Sequence, residues 1–485
     1  MAVDHEHLGH LLRRAGFGAS AAELSDLEGM STFEALAYVM NVDDQPDDVD
    51  SKIGNPAYIN VLARAGGFSP NSNIEDARQR WLFRMVHSRR PLQEKMALFW
   101  HNHFATAYSK LAGTFGAIQG TKMMALKDGE LPGPQGQIET FREKGLGSFR
   151  DLLVEMARDP AMLVWLDGRT NTRQRPQENF GREIMELFTL GVGHYVEEDV
   201  YAAARVFTGW NLRLVGDPNT TAGYYEFVYI PNNHDPTAKT FTFPIYRDGS
   251  KTIPARAASA GMQDGIDFIN ALATHPATAE RLARKMWNFF VSEALPPDPD
   301  YLRGATSIYF ANDTRIQPLV QYTLQSRWFQ NPANWHSRYA WPVEFAVRAV
   351  KEVGFLGFSV DNMRAPLIAM GQTLFEPPDV NGWELGQGWF STGAMLSRMN
   401  FASTIAANQR FNLANAAASA KDSPDTFMDY FLDRLSPAPF DGEPLDRLKA
   451  YLVDGGAWTG SIAQLQTKGA GLARLIVGSA EYQLM

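Results

Sequence analysis

The segment "PQENFGREIMELFTLGVGHY", residues 176–195, carries the residues best suited to acid–base chemistry. Its apolar positions recur with helical spacing, which predicts an amphipathic helix over residues 178–190. Glu183 and Glu186 are three positions apart, so their Cβ atoms would lie about 5–6 Å from each other on a helix. Two carboxylates at that distance repel each other unless a proton, a metal ion or a basic side chain lies between them.

A helical wheel places Glu183 at the border of the apolar face of this segment. That face consists of Phe180, Ile184, Leu187 and Phe188. A half-buried carboxylate needs a partner or a raised pKa. The candidate partners are Arg205, Arg398, His101 and His103. Three interpretations stay open: a salt bridge that holds helices together, a pair of carboxylates with a catalytic or metal-binding role, and simple exposure to solvent.

A second group of candidates lies in "FWHNHFAT", residues 99–106, where two histidines flank an asparagine. Residues two positions apart on a helix diverge by about 200°, so His101 and His103 reach one metal ion only if the helix ends or bends there. The stronger zinc pattern HExxH does not occur in the sequence. Each histidine is interpreted either as a hydrogen-bonded core residue or as a proton carrier.

The segment "NNHDPTAKTF", residues 232–241, combines His234 and Asp235 at a predicted turn. Asp-Pro marks a turn, and the polar residues around it can simply cap that turn. A histidine beside a carboxylate can alternatively be oriented for acid–base catalysis. The sequence leaves both interpretations open.

Two further loops carry side chains that suit a binding site. Trp383 and Trp389 lie in "DVNGWELGQGWFSTG", residues 379–393, where a tryptophan either stacks on a sugar ring or fills the core. Asp167 lies in "WLDGRTN", just before the glutamate-bearing helix. We expect the candidate segments to converge on one cleft, because they combine polar side chains with apolar stripes that must be buried. These segments are 99–106, 165–186, 205–211, 232–239 and 379–400.

The composition excludes several classes of function. The chain has 485 residues and a formal net charge of -9, so it would repel the phosphate backbone of a nucleic acid. It contains no cysteine, which excludes disulfides, thiolate nucleophiles and cysteine-held metal clusters. No P-loop, Rossmann glycine pattern, GxSxG elbow or EF-hand occurs. The residues identify no cofactor and do not define the oligomeric state.

The sequence also predicts the cellular compartment of the protein. Its first residues lack the apolar core of a secretory signal. No stretch reaches the roughly 18–20 apolar residues that span a bilayer. As written, the sequence predicts a cytoplasmic protein without a membrane span, and export would require a signal segment that has been removed.

Helical periodicity over most of the chain predicts a mainly α-helical fold, a large multi-helix body with a small β-hairpin-like insertion near residues 222–246. The insertion is predicted from "YYEFVYIP" and "KTFTFPIY", two β-rich runs on either side of "NNHDPTA". Ser20 and Ser31 are predicted helix N-caps. We expect one compact unit with three parts, namely a helical part with the His and Glu motifs at 1–211, a β-rich insertion at 212–253 and a second helical part at 254–485.

Several motifs together resemble, in this order, the bacterial family catalogued as domain of unknown function 1800. They are "FWHNHFAT", "QENFGREIMELFTLGVGHYVEEDVYAAARVFTGW", "NHDPTAKTF", "RKMWNFFVS" and "FEPPDVNGWELGQGW", and the resemblance runs from about residue 5 to the C-terminus. Membership of this family implies no established reaction. Many members resemble exported proteins with a signal segment, and members often have Asn where this chain has Gln177.

We expect a hydrolase or lyase that acts on a glycan-like, polyhydroxylated substrate or another small polar molecule. Glu183 would act as the acid or base and Glu186 as its partner. The expected catalytic residues are Glu183, Glu186, His101, His103 and Asp167, and the expected substrate-binding residues are Asn179, Arg205, His234, Asp235, Trp383, Trp389 and Arg398. The alternatives are a metal-dependent enzyme with a Glu/His site and a non-catalytic binding or assembly protein.

Overall fold

Helices account for most of residues 5–485, the part of the chain that the computed structural model describes. The predicted mainly α-helical fold is therefore confirmed. The first helices are α1 His5–Ala15, α2 Ala21–Leu27, α3 Thr32–Met40, α4 Ile74–His87, α5 Pro91–His103, α6 Tyr108–Phe115, α7 Ala117–Ala125, α8 Gln137–Lys144, α9 Phe149–Arg158, α10 Pro160–Trp165, α11 Glu178–Glu186 and α12 Glu197–Val206.

The helices resume after a β-containing segment. They are α13 Met262–Ala273, α14 Pro276–Met286, α15 Pro299–Ala311, α16 Ile316–Gln325, α17 Arg327–Gln330, α18 Pro342–Val353, α19 Asp361–Ala369, α20 Thr392–Ala416, α21 Pro424–Leu435, α22 Gly442–Val453 and α23 Ile462–Val477. A π-helical turn, Trp287–Val291, follows α14 directly. No helix in the described part of the chain is both long enough and apolar enough to cross a bilayer.

Helix starts follow local chemistry that the sequence predicts. The Ser20 hydroxyl accepts a hydrogen bond from the Glu23 backbone, and the Glu23 carboxylate accepts one in return from Ser20. Ser31 and Glu34 form the same reciprocal arrangement at the start of α3. Each pair satisfies donors that the first turn of a helix leaves without a partner. Both predicted N-caps are confirmed.

The β-rich insertion is built from two separate hairpins. Strand β1, Trp210–Val215, pairs antiparallel with β2, Tyr224–Tyr229, while β3, Lys239–Thr240, pairs with β4, Thr252–Ile253. The two predicted β-rich runs therefore do not pair with each other, since each finds its partner outside the 222–246 segment. The reason is local: residues 231–233 form a 3-10 turn instead of the tight reversal that a direct hairpin needs.

A buried ion cluster joins distant parts of the chain in the core. Glu344 on α18 lies between Lys95 on α5 and Arg338, and all three side chains are fully buried. Arg338 Nη1 donates to both Glu344 carboxylate oxygens, at 2.9 and 2.8 Å. Burial alone would raise the pKa of Glu344, but Arg338 and Lys95 lower it to about 2. Glu344 is therefore ionised at neutral pH and holds Arg338 and Lys95 in place. Burial lowers the pKa of Lys95 to about 7, against the opposing effect of Glu344.

We predict that Glu344→Gln lowers the free energy of unfolding by about 3–5 kcal/mol, because it removes the carboxylate that binds both the buried Lys95 and the buried Arg338 and leaves Arg338 with only the more distant Glu293. Urea unfolding at pH 7 measures this change. The contribution of Glu344 is present above the carboxyl's ordinary pKa and is lost as the pH falls from about 4.5 towards 2. The difference between variant and wild type should narrow over that range.

The matched control is Glu443→Gln on α22. Glu443 pairs with Arg447 at the surface, where both side chains are more than 70% exposed. Exposed pairs contribute little to stability, so this variant should unfold like the wild type. An equal loss in both variants would contradict the role given to Glu344.

Candidate functional site

The glutamate-bearing helix α11 is shorter than predicted and ends at Glu186. Phe180 and Ile184 are buried, as the wheel predicts. Gly181 lies against α12 so closely that an added Cβ would be 3.0 Å from both the Ala203 Cβ and the Ala204 backbone nitrogen. This contact fixes one face of α11 against α12. Glu183 and Glu186 lie off the buried face and are half-buried.

Glu183 differs from most half-buried carboxylates in this protein because it has no partner among the residues that the structure describes. Its side chain makes no hydrogen bond or ion pair with any residue in the 5–485 range. Burial raises the pKa of Glu183, and the neighbouring charge of Glu186 raises it further, against a smaller opposing effect of Arg182. Arg182 itself pairs with Glu197 on the exposed side. The salt-bridge interpretation of Glu183 therefore has no support within the described residues.

Glu186 is held in place by a tyrosine. The Tyr195 hydroxyl donates a hydrogen bond to the Glu186 carboxylate. Burial raises the pKa of Tyr195 to about 12, and Glu186 contributes to that rise. Tyr195 consequently keeps its proton and can only donate to Glu186. The two glutamates thus have different environments, one unpaired and one oriented by a hydrogen bond.

Two cations on α14 extend this group of residues. Arg281 Nε donates to the Leu187 carbonyl oxygen at 3.2 Å, just beyond the end of α11. Burial lowers the pKa of Arg281, and Glu186 acts in the opposite direction. Lys285 lies four residues further along α14, on the same side of the helix. Burial, followed by the charge of Arg281, lowers the pKa of Lys285 to about 7.

Lys285 contacts one of the two predicted histidines. Its Nζ lies 2.8 Å from His103 Nδ1, and His103 Nε2 lies 3.1 Å from the Phe188 carbonyl oxygen. A carbonyl can only accept, so Nε2 carries the proton and Nδ1 accepts from Lys285. Burial lowers the pKa of His103 well below the usual range, and the Lys285 and Arg281 charges lower it further. His103 is therefore neutral with a defined tautomer.

We name this group the α11 cluster. It consists of Glu183, Glu186, Tyr195, Arg281, Lys285 and His103. The π-helical turn 287–291 begins two residues after Lys285, and such turns occur frequently at functional sites. Electrostatic interactions link Glu183 to Glu186, Glu186 to Arg281 and Arg281 to Lys285. The α11 cluster offers a carboxylate without a partner in residues 5–485, an oriented carboxylate and an amine beside a neutral imidazole.

His101 lies on the other side of α5 from His103. Its ring packs edge-on against Trp81, Phe375 and Trp383, with centroid distances of 5.5, 5.7 and 5.3 Å. Burial lowers the pKa of His101 to about 3. The two rings thus diverge as helical geometry predicts, and His101 contacts none of the residues of the α11 cluster.

The tryptophan loop is attached to α5 by Asn102. Asn102 Oδ1 accepts a hydrogen bond from the Trp383 backbone nitrogen at 2.7 Å. Gly382 has a φ of 84°, and an added Cβ would lie 2.3 Å from Asn102 Oδ1. Trp383 and Trp389 are both buried, at 4% and 5% exposure. The core-filling interpretation is therefore the correct one, because neither ring has a free face for stacking on a sugar.

The predicted substrate-binding Arg398 is a core residue. It is fully buried and donates to the Gln483 side chain and to the Ala340 carbonyl, each at 2.9 Å. Its guanidinium also lies over the rings of Phe345 and Phe390. These contacts connect α20 with the C-terminal segment, and Arg398 does not reach the glutamates of α11.

The carboxylate partner of His234 in the 232–241 segment is Asp264, not the adjacent Asp235. His234 is fully buried, and its Nε2 lies 3.2 Å from Asp264 on α13. Lys239 and Arg256 also bind Asp264. Gly261 makes this packing possible, since an added Cβ would lie 2.1 Å from the His234 ring. The network attaches the β-rich insertion to the helices.

Asp235 forms a separate ion pair with Arg205, with 2.7 Å between Nε and Oδ2. Although burial raises the pKa of Asp235, the Arg205 and Thr237 hydrogen bonds lower it well below the usual range.

The two remaining predicted site residues, Asp167 and Asn179, are both exposed. Asp167 pairs with Lys110 at 3.2 Å. Asn179 lies on α11.

Specific contacts join the candidate segments. Segments 165–186, 205–211 and 232–239 are joined by the Asn171–Gly209, Arg173–Asn233 and Arg205–Asp235 contacts. In segment 99–106, Asn102 binds the 379–400 segment and His103 lies against Phe188, just beyond α11. The residues of five cavities in the described part of the chain belong to other segments.

Sequence reasoning missed Tyr195, Arg281 and Lys285. Tyr195 is the last residue of the 176–195 segment. It lies beyond the end of α11, so a helical wheel does not relate its position to that of Glu186. Arg281 and Lys285 are two cationic residues four positions apart on one helix, a spacing that puts them on the same face. The same spacing is typical of a solvated helix face. Only the packing of α14 near the end of α11 distinguishes a functional site from such a face.

We predict that Lys285 reacts as an unusually acidic amine. An ordinary exposed lysine has a pKa of about 10.4, so it is almost fully charged at pH 7. With its pKa lowered to about 7, close to half of Lys285 is uncharged there. Trace labelling with acetic anhydride across pH 5–10, read by mass spectrometry, should give a rate midpoint near pH 7. The exposed Lys449 is the internal reference, and a Lys285 midpoint above pH 9 would contradict this electrostatic description.

Comparison with protein families finds a match over nearly the whole chain. The family described as "Protein of unknown function (DUF1800)" matches residues 10–484. Comparisons with curated proteins and with solved structures give no match.

Proposed function

We propose that this chain, which belongs to the DUF1800 family of proteins of unknown function, is an enzyme that performs acid–base chemistry at the α11 cluster. The reaction is hydrolysis or elimination, and the substrate is a glycan-like, polyhydroxylated molecule. The proposal depends on one observation above all: Glu183 is a half-buried carboxylate with a raised pKa and no partner in residues 5–485.

Glu183 is suited to act as the general acid. A carboxyl group whose pKa is raised by burial and by a neighbouring anion stays protonated over a wider pH range and can donate to a leaving oxygen. Most structural carboxylates in this protein are already paired, as Asp235 and Asp264 illustrate. An unpaired, half-buried carboxylate costs stability, which is the usual sign of a group retained for another purpose.

Glu186 is suited to be the second carboxylate. The hydrogen bond from Tyr195 orients it, and Arg281 on α14 interacts electrostatically with it. The two glutamates are three residues apart on one helix, which places their Cβ atoms about 5–6 Å apart. Carboxyl groups about 5–5.5 Å apart would suit a double displacement, and a wider separation of the two carboxyl groups would suit a single displacement.

Lys285 and His103 supply the second proton-transfer pair. The neutral imidazole accepts a hydrogen bond from the Lys285 amine at 2.8 Å. An amine with a pKa of about 7 can take up or release a proton near neutral pH, and this suits a general base. The mixed carboxylate and amine donors would also bind hydroxyl groups, which accept and donate hydrogen bonds equally well.

The described residues give less support to the two alternatives, a metal-dependent enzyme and a non-catalytic binding protein. In the part of the chain that the structure describes, no group of three His, Asp or Glu side chains is arranged to hold a metal ion. A non-catalytic binding protein would explain the polar cluster but would not require the unpaired, raised-pKa state of Glu183. Both alternatives remain outcomes of the experiment below.

We predict that Glu183→Gln lowers turnover roughly 10²–10⁴-fold, the usual contribution of a general acid. The wild type is incubated with a panel of oligosaccharides, and products are detected by mass spectrometry. Activity should fall as the pH rises through the pKa of Glu183, which lies above that of an ordinary Glu, because only the protonated form donates.

The matched control is Glu178→Gln, which changes an exposed carboxylate on the outer side of the same helix. This variant should keep wild-type turnover, and neither variant should unfold at a lower urea concentration than the wild type. Full activity in Glu183→Gln would remove Glu183 from catalysis. A wild type that cleaves no member of the panel but retains a partner in a pull-down would favour the binding alternative.

A further inference from the structure

We propose that the outer face of α20 binds a second copy of this chain as an antiparallel helix pair. Helix α20, Thr392–Ala416, packs against α18, α19 and α23. One side of the helix is buried in the core, as Arg398 illustrates. The opposite side carries a stripe of uncharged side chains, which we name the α20 stripe: Leu396, Asn400, Ser403, Ala407 and Phe411.

Two large apolar side chains lie at the ends of the α20 stripe. Leu396 is 59% exposed and Phe411 is 58% exposed. At about 100° per residue, all five side chains fall within about 80° of one another around the helix axis, so they share one face. The stripe is about 22 Å long. Met399, which is 51% exposed, flanks it. Exposed apolar side chains grouped on one face indicate an interaction surface.

The charges on α20 favour a second copy as the partner. The chain carries a formal net charge of -9, so two copies repel each other over most of their surface. In the sequence 392–420 the only charged residues are Arg398, which is fully buried, and Arg410. A strongly charged partner finds no counter-charge on the α20 stripe. An identical stripe, in contrast, meets it without bringing like charges together.

The order of side chains along the α20 stripe is nearly palindromic. Leu396 and Phe411 are equally far from a midpoint that follows Ser403 directly, and the next pair inwards, Asn400 and Ala407, is also equally far from it. A two-fold axis through this midpoint makes the stripe complementary to itself, as an isologous interface requires. Each large apolar end of one stripe then packs against the other end of its counterpart. Small side chains near the middle let the helix axes approach to about 8–10 Å.

The strength of this pairing follows from its size and its charges. One helix pair of this length buries less than the roughly 800 Å² per partner of a standard interface, so we expect weak association that depends on concentration. The two Arg410 side chains lie on opposite sides of the two-fold axis, about 20 Å apart along the helices. Their repulsion therefore does not oppose the contact.

Sedimentation velocity of the full chain from about 1 to 200 µM measures the association. We expect the wild type to change from monomer to dimer over this range. Ala407→Glu places a charge in the middle of the stripe and should weaken dimerisation at least tenfold. The matched control is Ala416→Glu, at an exposed position nine residues, or about two and a half turns, further on and thus on the opposite side of the helix. It should dimerise like the wild type, and both variants should unfold like the wild type in urea.

A compensating substitution tests the antiparallel register. Asn400 of one copy lies opposite Ala407 of the other in this pairing. The double variant Asn400→Lys/Ala407→Glu brings opposite charges together across the interface, so it should restore the dimerisation that Ala407→Glu loses.

A cross-link tests the position of the two-fold axis. The chain contains no cysteine, so Ser403→Cys introduces one thiol per copy, close to the axis. Two thiols there are near enough to form a disulfide between copies under oxidising conditions. Ala416→Cys is the control and should cross-link much more slowly.

The proposal is overturned if the wild type stays monomeric at the highest concentration or if Ala407→Glu dimerises like the wild type. Failure of the double variant to dimerise, or equal cross-linking of the two cysteine variants, also overturns it. None of these measurements involves the α11 cluster, so this proposal and the proposed catalytic function can fail independently.

Discussion

Ionised Glu344, buried between Lys95 and Arg338, is the interaction on which the rest of the structure depends. None of these side chains reaches solvent, so each charge is tolerated only while its partners are in place. Lys95 belongs to α5 and Glu344 to α18, and the two are 249 positions apart in the chain. The pairing therefore fixes α5 against α18. The other side chains of α5 are positioned by the same contact.

Helix α5 makes buried contacts along its whole length. Near its beginning Glu94 pairs with Arg84 and Arg142. At its end His103 binds Lys285 and belongs to the α11 cluster. The buried ion pairs therefore hold the helix, and with it His103, in a fixed position. Precise placement of this kind is what catalytic groups require.

The α11 cluster differs from the other polar groups in how its charges are compensated. The His234 network satisfies Asp264 with three partners, and Asp235 is paired with Arg205, so these residues stabilise the insertion. Within residues 5–485 Glu183 has no ion pair or hydrogen bond of this kind, and Lys285 has a neutral imidazole as its partner. Groups that stay uncompensated keep the ability to exchange protons, whereas paired groups are fixed in one state. This contrast is the physical basis for placing function at α11.

The sequence by itself determined the helical fold, the N-caps at Ser20 and Ser31, and the divergence of His101 from His103, because these follow from periodicity and from hydrogen bonds within a few residues. It also placed Glu183 at the border of a buried face. Only the tertiary structure decided which partners meet. Lys285 lies 182 positions from His103, and no local rule relates them. Burial of Trp383, likewise, depends on packing across the whole chain, because an aromatic side chain suits a core and a sugar site equally well.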